Sequence, residues 1–164
     1  MRRQATFDSS FWIHSVFLDL EPFLLTDFEL VCPRAVEREL GQQNPTSLRL
    51  KALLNNHTIQ LVSPRSEKVK MYGDGERGAI NVALEKTVLL LIDDWRPYEM
   101  AYEAGVKVVN TPAYLVQLFQ QGRISLERVL GDLGKLARRG TIKPAWIHAA
   151  LKVVAEIRKK GPVQ

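Results

Sequence analysis

The segment TVLLLIDD, residues 87–94, constrains the fold more than any other. Val88 to Ile92 are apolar without alternation, as in a strand covered on both faces. Such strands belong to parallel sheets with helices packed above and below. Further short apolar runs predict strands at about 4–8 (QATFD), 29–32 (ELVC), 58–62 (TIQLV) and 106–109 (VKVV). Helical patterns lie between and after them, near 10–20, 33–42, 46–56, 75–86, 95–104, 111–121, 126–139 and 143–160. The alternation predicts an α/β sandwich around a parallel sheet of about five strands. Gly105, Gly122, Gly140 and Gly161 stand where helices or turns can end.

A chain of 164 residues without internal repeats is expected to form a single domain, 1–164. Its one cysteine, Cys32 at the end of ELVC, cannot form an internal disulfide and reads as a small buried hydrophobe. The cytoplasm is the compartment this predicts. MRRQATFDSS starts with basic residues but has no apolar stretch after them, so no signal peptide is expected. No segment is long and apolar enough to suggest a membrane partner.

Charge is unevenly spread. From Gly122 onward there are ten Lys or Arg and three acids, whereas the preceding residues carry thirteen basic and fifteen acidic side chains. A slightly acidic body with a basic C-terminal third fits a polyanion partner beside an acid-rich centre. A solvated helix surface would show the same charge balance.

The acids fall at informative places. Asp8 ends the first predicted strand, and Asp93 and Asp94 follow the most apolar one. Ligand sites in parallel sheets form at such carboxyl ends, where strand order reverses. Within PRAVEREL, Ala35, Val36, Glu39 and Leu40 share one helical face. Glu39 is therefore predicted to project inward and Glu37 to be a solvated surface acid. In GDGERGAINVALE, with Asp74 as N-cap, Glu76 shares the stripe of Ala79, Ile80, Ala83 and Leu84. Inward carboxylates must be paired or must bind a cation, and several together favour a hard divalent ion. N-capping by Asp8 and Asp94 is the ordinary alternative.

Gly73, Gly75 and Gly78 spell G-x-G-x-x-G. A dinucleotide loop needs its first glycine directly after a strand. Here the polar SPRSEKVKMY separates TIQLV from Gly73. The glycines are thus expected to shape the approach to a helix, with Glu76 as the functional element.

The ordered motifs FDSS, PRAVEREL, GERGAINVALE and LLIDDW followed by GVKVVNT resemble those of PIN-domain nucleases, over about residues 5–122. The branch is that of VapC-like toxins or related nucleic-acid-binding PIN proteins, leaving a basic helical extension at about 123–164. The resemblance implies a three-layer α/β/α sandwich with extra C-terminal helices, and metal-dependent cleavage of RNA. It assigns the catalytic acids to Asp8, Glu39, Glu76 and Asp94, with Asp93 beside them as a metal ligand, and Mg²⁺ or Mn²⁺ as the cofactor. Ser9 and Ser10 match the small polar residues that follow the first acid. Toxin–antitoxin relatives imply a small antitoxin partner and a homodimer. Pro97 and Tyr98 stand where relatives more often have Ala and Arg, and the first strand is less apolar than usual.

Arg123, Arg128, Lys135, Arg138, Arg139 and Lys143 are the expected contacts for the RNA backbone. Trp95 and Tyr98 beside the acids offer surfaces for base stacking, although core packing is the more ordinary fate of Trp95. Rival readings are a non-catalytic RNA- or protein-binding module and a phosphoacceptor receiver domain. The latter places its acid pair after the first strand, not about ninety residues on. A zinc enzyme is disfavoured, since His14, His57 and His148 lack ligand spacing, and His14 reads as a packed or edge histidine.

Overall fold

A computed structural model describes residues 1–161. The last three residues of the predicted extension lie outside the described residues. The chain divides into two compact units, Met1–Val109 and a second that begins at Asn110.

The first unit holds five strands: β1 (Arg3–Phe7), β2 (Phe28–Pro33), β3 (Gln60–Val62), β4 (Leu89–Leu91) and β5 (Val108–Val109). All pair in parallel, in the order β3-β2-β1-β4-β5. Its helices are α1 (Ser9–Phe17), α2 (Glu21–Asp27), α3 (Arg34–Leu40), α4 (Pro45–Asn55), α5 (Asp74–Lys86) and α6 (Trp95–Glu103). This is a PIN-like α/β/α sandwich. Leu89, Leu90 and Leu91 are buried in succession, so both faces of β4 are covered, as its lack of alternation requires. Phe7 stacks on Trp12 with ring centroids 5.2 Å apart, fixing α1 to the end of β1.

Strand order sets the functional end of the sheet. From β1 the chain winds through β2 to β3 on one side, then returns to β4 and β5 on the other. The reversal falls between β1 and β4, where Phe7 is in register with Leu91. Asp8 extends this ladder by donating its N–H to the Leu91 carbonyl at 3.0 Å. Asp8 and Asp93 therefore leave neighbouring strands at the switch point.

Between β3 and α5 the polar segment runs back along α5 and is tied to it in three places. The Arg65 N–H donates to Glu85 Oε2 at 2.7 Å, and Arg77 Nε lies 3.6 Å from Glu67 Oε1. Buried Asn81 holds both backbone groups of Val69 at 2.9 Å, accepting its N–H and donating to its carbonyl. One amide thus replaces a missing strand partner and fixes where Gly73 enters the helix.

The helix α2 was not foreseen. Pro22 at its N1/N2 position suits a first turn, but EPFLLTD is too short to show a helical period above the neighbouring helix and strand. Asp74 is the first residue of α5 and pairs with Arg77, while Gly73 takes the N-cap place assigned to Asp74.

The second unit comprises α7 (Thr111–Gln120), α8 (Leu126–Arg139) and α9 (Pro144–Lys159), which pack on one another. It starts about a dozen residues before the predicted extension because α7 packs with α8 and α9. Leu115, Leu118, Val129, Leu133, Leu136, Ile147, Ala150 and Val154 are buried, with Tyr114. Leu151 on α9 is 38% exposed. The buried stripe of α9 runs through Ile147, Ala150 and Val154, at three- and four-residue spacing. No helix among the described residues is long and apolar enough to cross a membrane.

Candidate metal centre

Asp8 is completely buried at the mouth of the switch point. Its Oδ1 caps α1, accepting the Phe11 N–H at 2.8 Å. Its Oδ2 is buried with no hydrogen-bond partner, and so is Ser9 Oγ, the next side chain along. Burial, above all, drives the Asp8 pKa well above the usual carboxylate range, and the charges of Asp93, Asp94 and Glu76 push the same way. The Phe11 N–H opposes the shift without cancelling it. N-capping, the ordinary alternative for Asp8, thus occupies one oxygen and leaves the other aimed at a cluster of acids.

The two aspartates of LLIDD have different surroundings. Asp93 Oδ2 lies 2.6 Å from His14 Nδ1 inside the protein. Asp94 occupies the N-cap position of α6 but makes no capping bond. It is hydrogen-bonded to Glu76, and that bond is the main reason the Glu76 pKa rises from 4.5 to about 7. Partial burial and the charges of Asp94 and Glu39 add to the shift.

Glu39 reaches the group from α3. Its Oε2 accepts the Gly75 N–H at 2.8 Å, joining α3 to the first turn of α5. A Cβ on Gly75 would lie 2.7 and 2.8 Å from the Glu39 oxygens and 2.8 Å from Ser9 Oγ. One on Gly78 would stand 3.1 Å from the Ala35 Cβ. These glycines let α5 close on α1 and α3, and Gly73, Gly75 and Gly78 all keep ordinary negative φ values. A phosphate-cradling turn is not what they build.

The predicted burial of the α3 acids is reversed. Glu39 is exposed, because it crosses the open edge toward Gly75, and Glu37 is half-buried on the other side of the helix, facing Cys32. The helical spacing puts the two acids on different faces, but burial depends on what stands opposite each. Burial pushes the Cys32 thiol up, consistent with an inert core position. Ser10 follows Ser9 on α1 and is half-buried.

Asp8, Ser9, Glu39, Glu76, Asp93 and Asp94 therefore form one connected group at one end of the sheet. Among the described residues, no three His, Cys, Asp or Glu side chains are grouped tightly enough to hold an ion as they stand. Yet an orphaned carboxylate oxygen, an orphaned hydroxyl and carboxyls that must share protons are the surroundings a hard cation relieves. The donor set, all oxygen, suits Mg²⁺ or Mn²⁺.

Over residues 18–156 the chain matches a family described as a PIN domain. It is a PIN-domain protein. No curated protein matches it. Asp8, Ser9 and His14 precede the matched span, whereas Glu39, Glu76, Asp93 and Asp94 lie within it. PIN domains are generally nucleases, and this PIN domain has the acids grouped where its sheet reverses.

The predicted basic contacts belong to the second unit. Asp132, buried on α8, lies 3.4 Å from Arg128 Nε and 3.7 Å from Lys135 Nζ, so both charges are engaged within the helix. Arg123 is half-buried and donates to Gln121 Oε1 at 3.3 Å. Arg138 and Arg139 are exposed in the last turn of α8, and Lys143 stands at the N-cap position of α9. No local sequence pattern points to the buried partner of His14. A histidine within an apolar helix is its only sign, since Asp93 lies 79 residues away. Trp95, given the core as its ordinary place, is 41% exposed beside Asp94.

Proposed function

We propose that this PIN domain is a metal-dependent endoribonuclease. The observation that carries the reading is the buried, unpartnered Asp8 Oδ2 at the switch point, surrounded by Asp93, Asp94 and Glu76.

Asp8 and Asp94 would hold Mg²⁺ or Mn²⁺ directly, with Asp93 beside them and Glu39 and Glu76 completing the shell. When bound, such an ion supplies a Lewis acid for the phosphate and lowers the pKa of coordinated water. The protein's own groups have separable tasks. His14 keeps Asp93 oriented, and the Gly75 N–H does the same for Glu39. Glu76, hydrogen-bonded to Asp94 at the start of α5, is placed to orient the attacking water. Ser9 Oγ, buried without a partner, is available to a phosphate oxygen. Exposed Trp95 offers a face for a base.

RNA as substrate, a cytoplasmic setting, a homodimer and a toxin role with a small antitoxin partner extend this reading from the resemblance. The test is cleavage of a mixed single-stranded RNA pool with Mn²⁺ and with chelator. Wild type should cleave only with metal, and Asp8→Asn should lose activity by on the order of a hundredfold or more. Glu37→Gln, on the other face of α3, should remain active. An inert wild type, or an equally active Asp8→Asn, would replace the nuclease with a non-catalytic RNA- or protein-binding module.

A further inference from the structure

Beside the acid group lies an open cavity of about 580 Å³, bounded by α3, the segment after β3 and the start of α5. Glu39 belongs to both places, reaching Gly75 on one side and lining the cavity on the other. Six charged side chains line it in all. Arg77 sits between Asp74 Oδ1 at 2.6 Å and Glu67 Oε1 at 3.6 Å, one cation shared by two carboxylates. Glu39 has the Gly75 N–H. Arg34 and Arg38 remain. They are one helical turn apart on α3, both are exposed, and neither has an ion-pair partner among the described residues.

Two guanidinium groups on one helical face, neither held in an ion pair, offer forked donors to anionic oxygens in a cavity whose three arginines balance its three acids. The cavity is of a size that takes a nucleotide. We propose that Arg34 and Arg38 bind a backbone phosphate of single-stranded RNA neighbouring the one presented to the acids, and so set the position of the strand on the protein. This rests on the ribonuclease reading above. It gives the first unit its own polyanion contacts, independent of the basic residues of α8.

The experiment measures binding, not turnover. Fluorescence anisotropy of a labelled single-stranded RNA is followed in chelator over a range of salt, for wild type and three double variants. Arg34→Gln with Arg38→Gln should weaken binding roughly tenfold and lower the log–log salt slope by about 0.7, the value for one lost phosphate contact on a single strand. Arg34→Lys with Arg38→Lys should recover the slope but only part of the affinity, since the charge stays and the fork is lost. Lys86→Gln with Lys107→Gln removes the same charge just before β4 and β5, at the opposite end of the sheet. It should leave the slope close to wild type. Identical slopes for the Arg and Lys control variants, in a wild type that binds RNA, would overturn the cavity assignment alone. A wild type that binds no RNA in chelator would overturn it, and one that also neither binds nor cleaves RNA with Mn²⁺ would overturn the ribonuclease reading with it.

Discussion

His14 and Asp93, separated by 79 residues in the chain, meet at 2.6 Å with both side chains buried. The contact joins α1 to the residues that follow β4, across the point where the sheet reverses. It also divides the labour of the two adjacent aspartates. Asp93 is oriented from within the protein, and Asp94 faces Glu76 at the helix start.

Breaking this pair should cost stability rather than merely alter the site. His14→Ala leaves the Asp93 carboxylate buried without the imidazole, a loss of about 1–3 kcal/mol. Urea unfolding at pH 7 measures it, and a midpoint unchanged from wild type would show that the imidazole contributes nothing. His148→Ala, on an exposed position of α9, is the matched control and should be neutral.

Asp8 should behave in the opposite way. Its buried carboxylate is held against its charged form by burial and by Asp93, Asp94 and Glu76, so the metal-free fold carries its charge at a disadvantage. Asp8→Asn keeps an oxygen able to accept the Phe11 N–H and removes the charge. In chelator at pH 8 the variant should melt above wild type. With Mn²⁺ added, the ranking should narrow or reverse, because only wild type gains a full set of ligands. Equal melting temperatures in chelator would refute the repulsion argument.

The same residues show which parts of the molecule can be read from the sequence. Unbroken apolar runs such as LLLI announce central strands, because burial on both faces leaves no room for polar alternation. Helical spacing put Glu39 and Glu37 on different faces of α3. It could not give their exposure, since that depends on how open the edge is beyond Glu39 and on what packs against Glu37. His14–Asp93 and Asn81–Val69 are contacts across the fold, and no local pattern encodes them. α2 was hidden for a different reason: seven residues hold too few turns to display a period.

Glu76 gives the metal-free protein a definite pH dependence. Its pKa is raised on folding, so the unfolded chain releases this proton first as pH increases. Stability associated with Glu76 is therefore fully present below 4.5 and lost progressively up to about 7, after which it no longer changes. Glu76→Gln should remove this part of the slope. Unfolding in chelator between pH 5 and 8 checks the sign, and a difference between variant and wild type that does not vary over that range would dismiss it.

Gly75 offers the sharpest separation of fold from function. An added methyl group meets both Glu39 oxygens and Ser9 Oγ at 2.7–2.8 Å, too close for any of them to stay. Glu39 is the exposed end of a flexible side chain and can swing away. Alanine also favours the helix over glycine by about 1 kcal/mol, which offsets part of the collision with the buried Ser9. Gly75→Ala should therefore unfold within about 1 kcal/mol of wild type. It should nevertheless cleave RNA far more slowly, because Glu39 loses its place beside the acids. Gly73→Ala leaves Glu39 and Ser9 untouched but meets the side chain of Glu76 at 2.7 Å, so it should slow cleavage through Glu76 instead. Paired urea unfolding and cleavage assays on both variants decide the matter. Full activity in Gly75→Ala would detach Glu39 from the reaction, and saturable binding of NAD or ATP lost in Gly75→Val would return these glycines to a nucleotide loop.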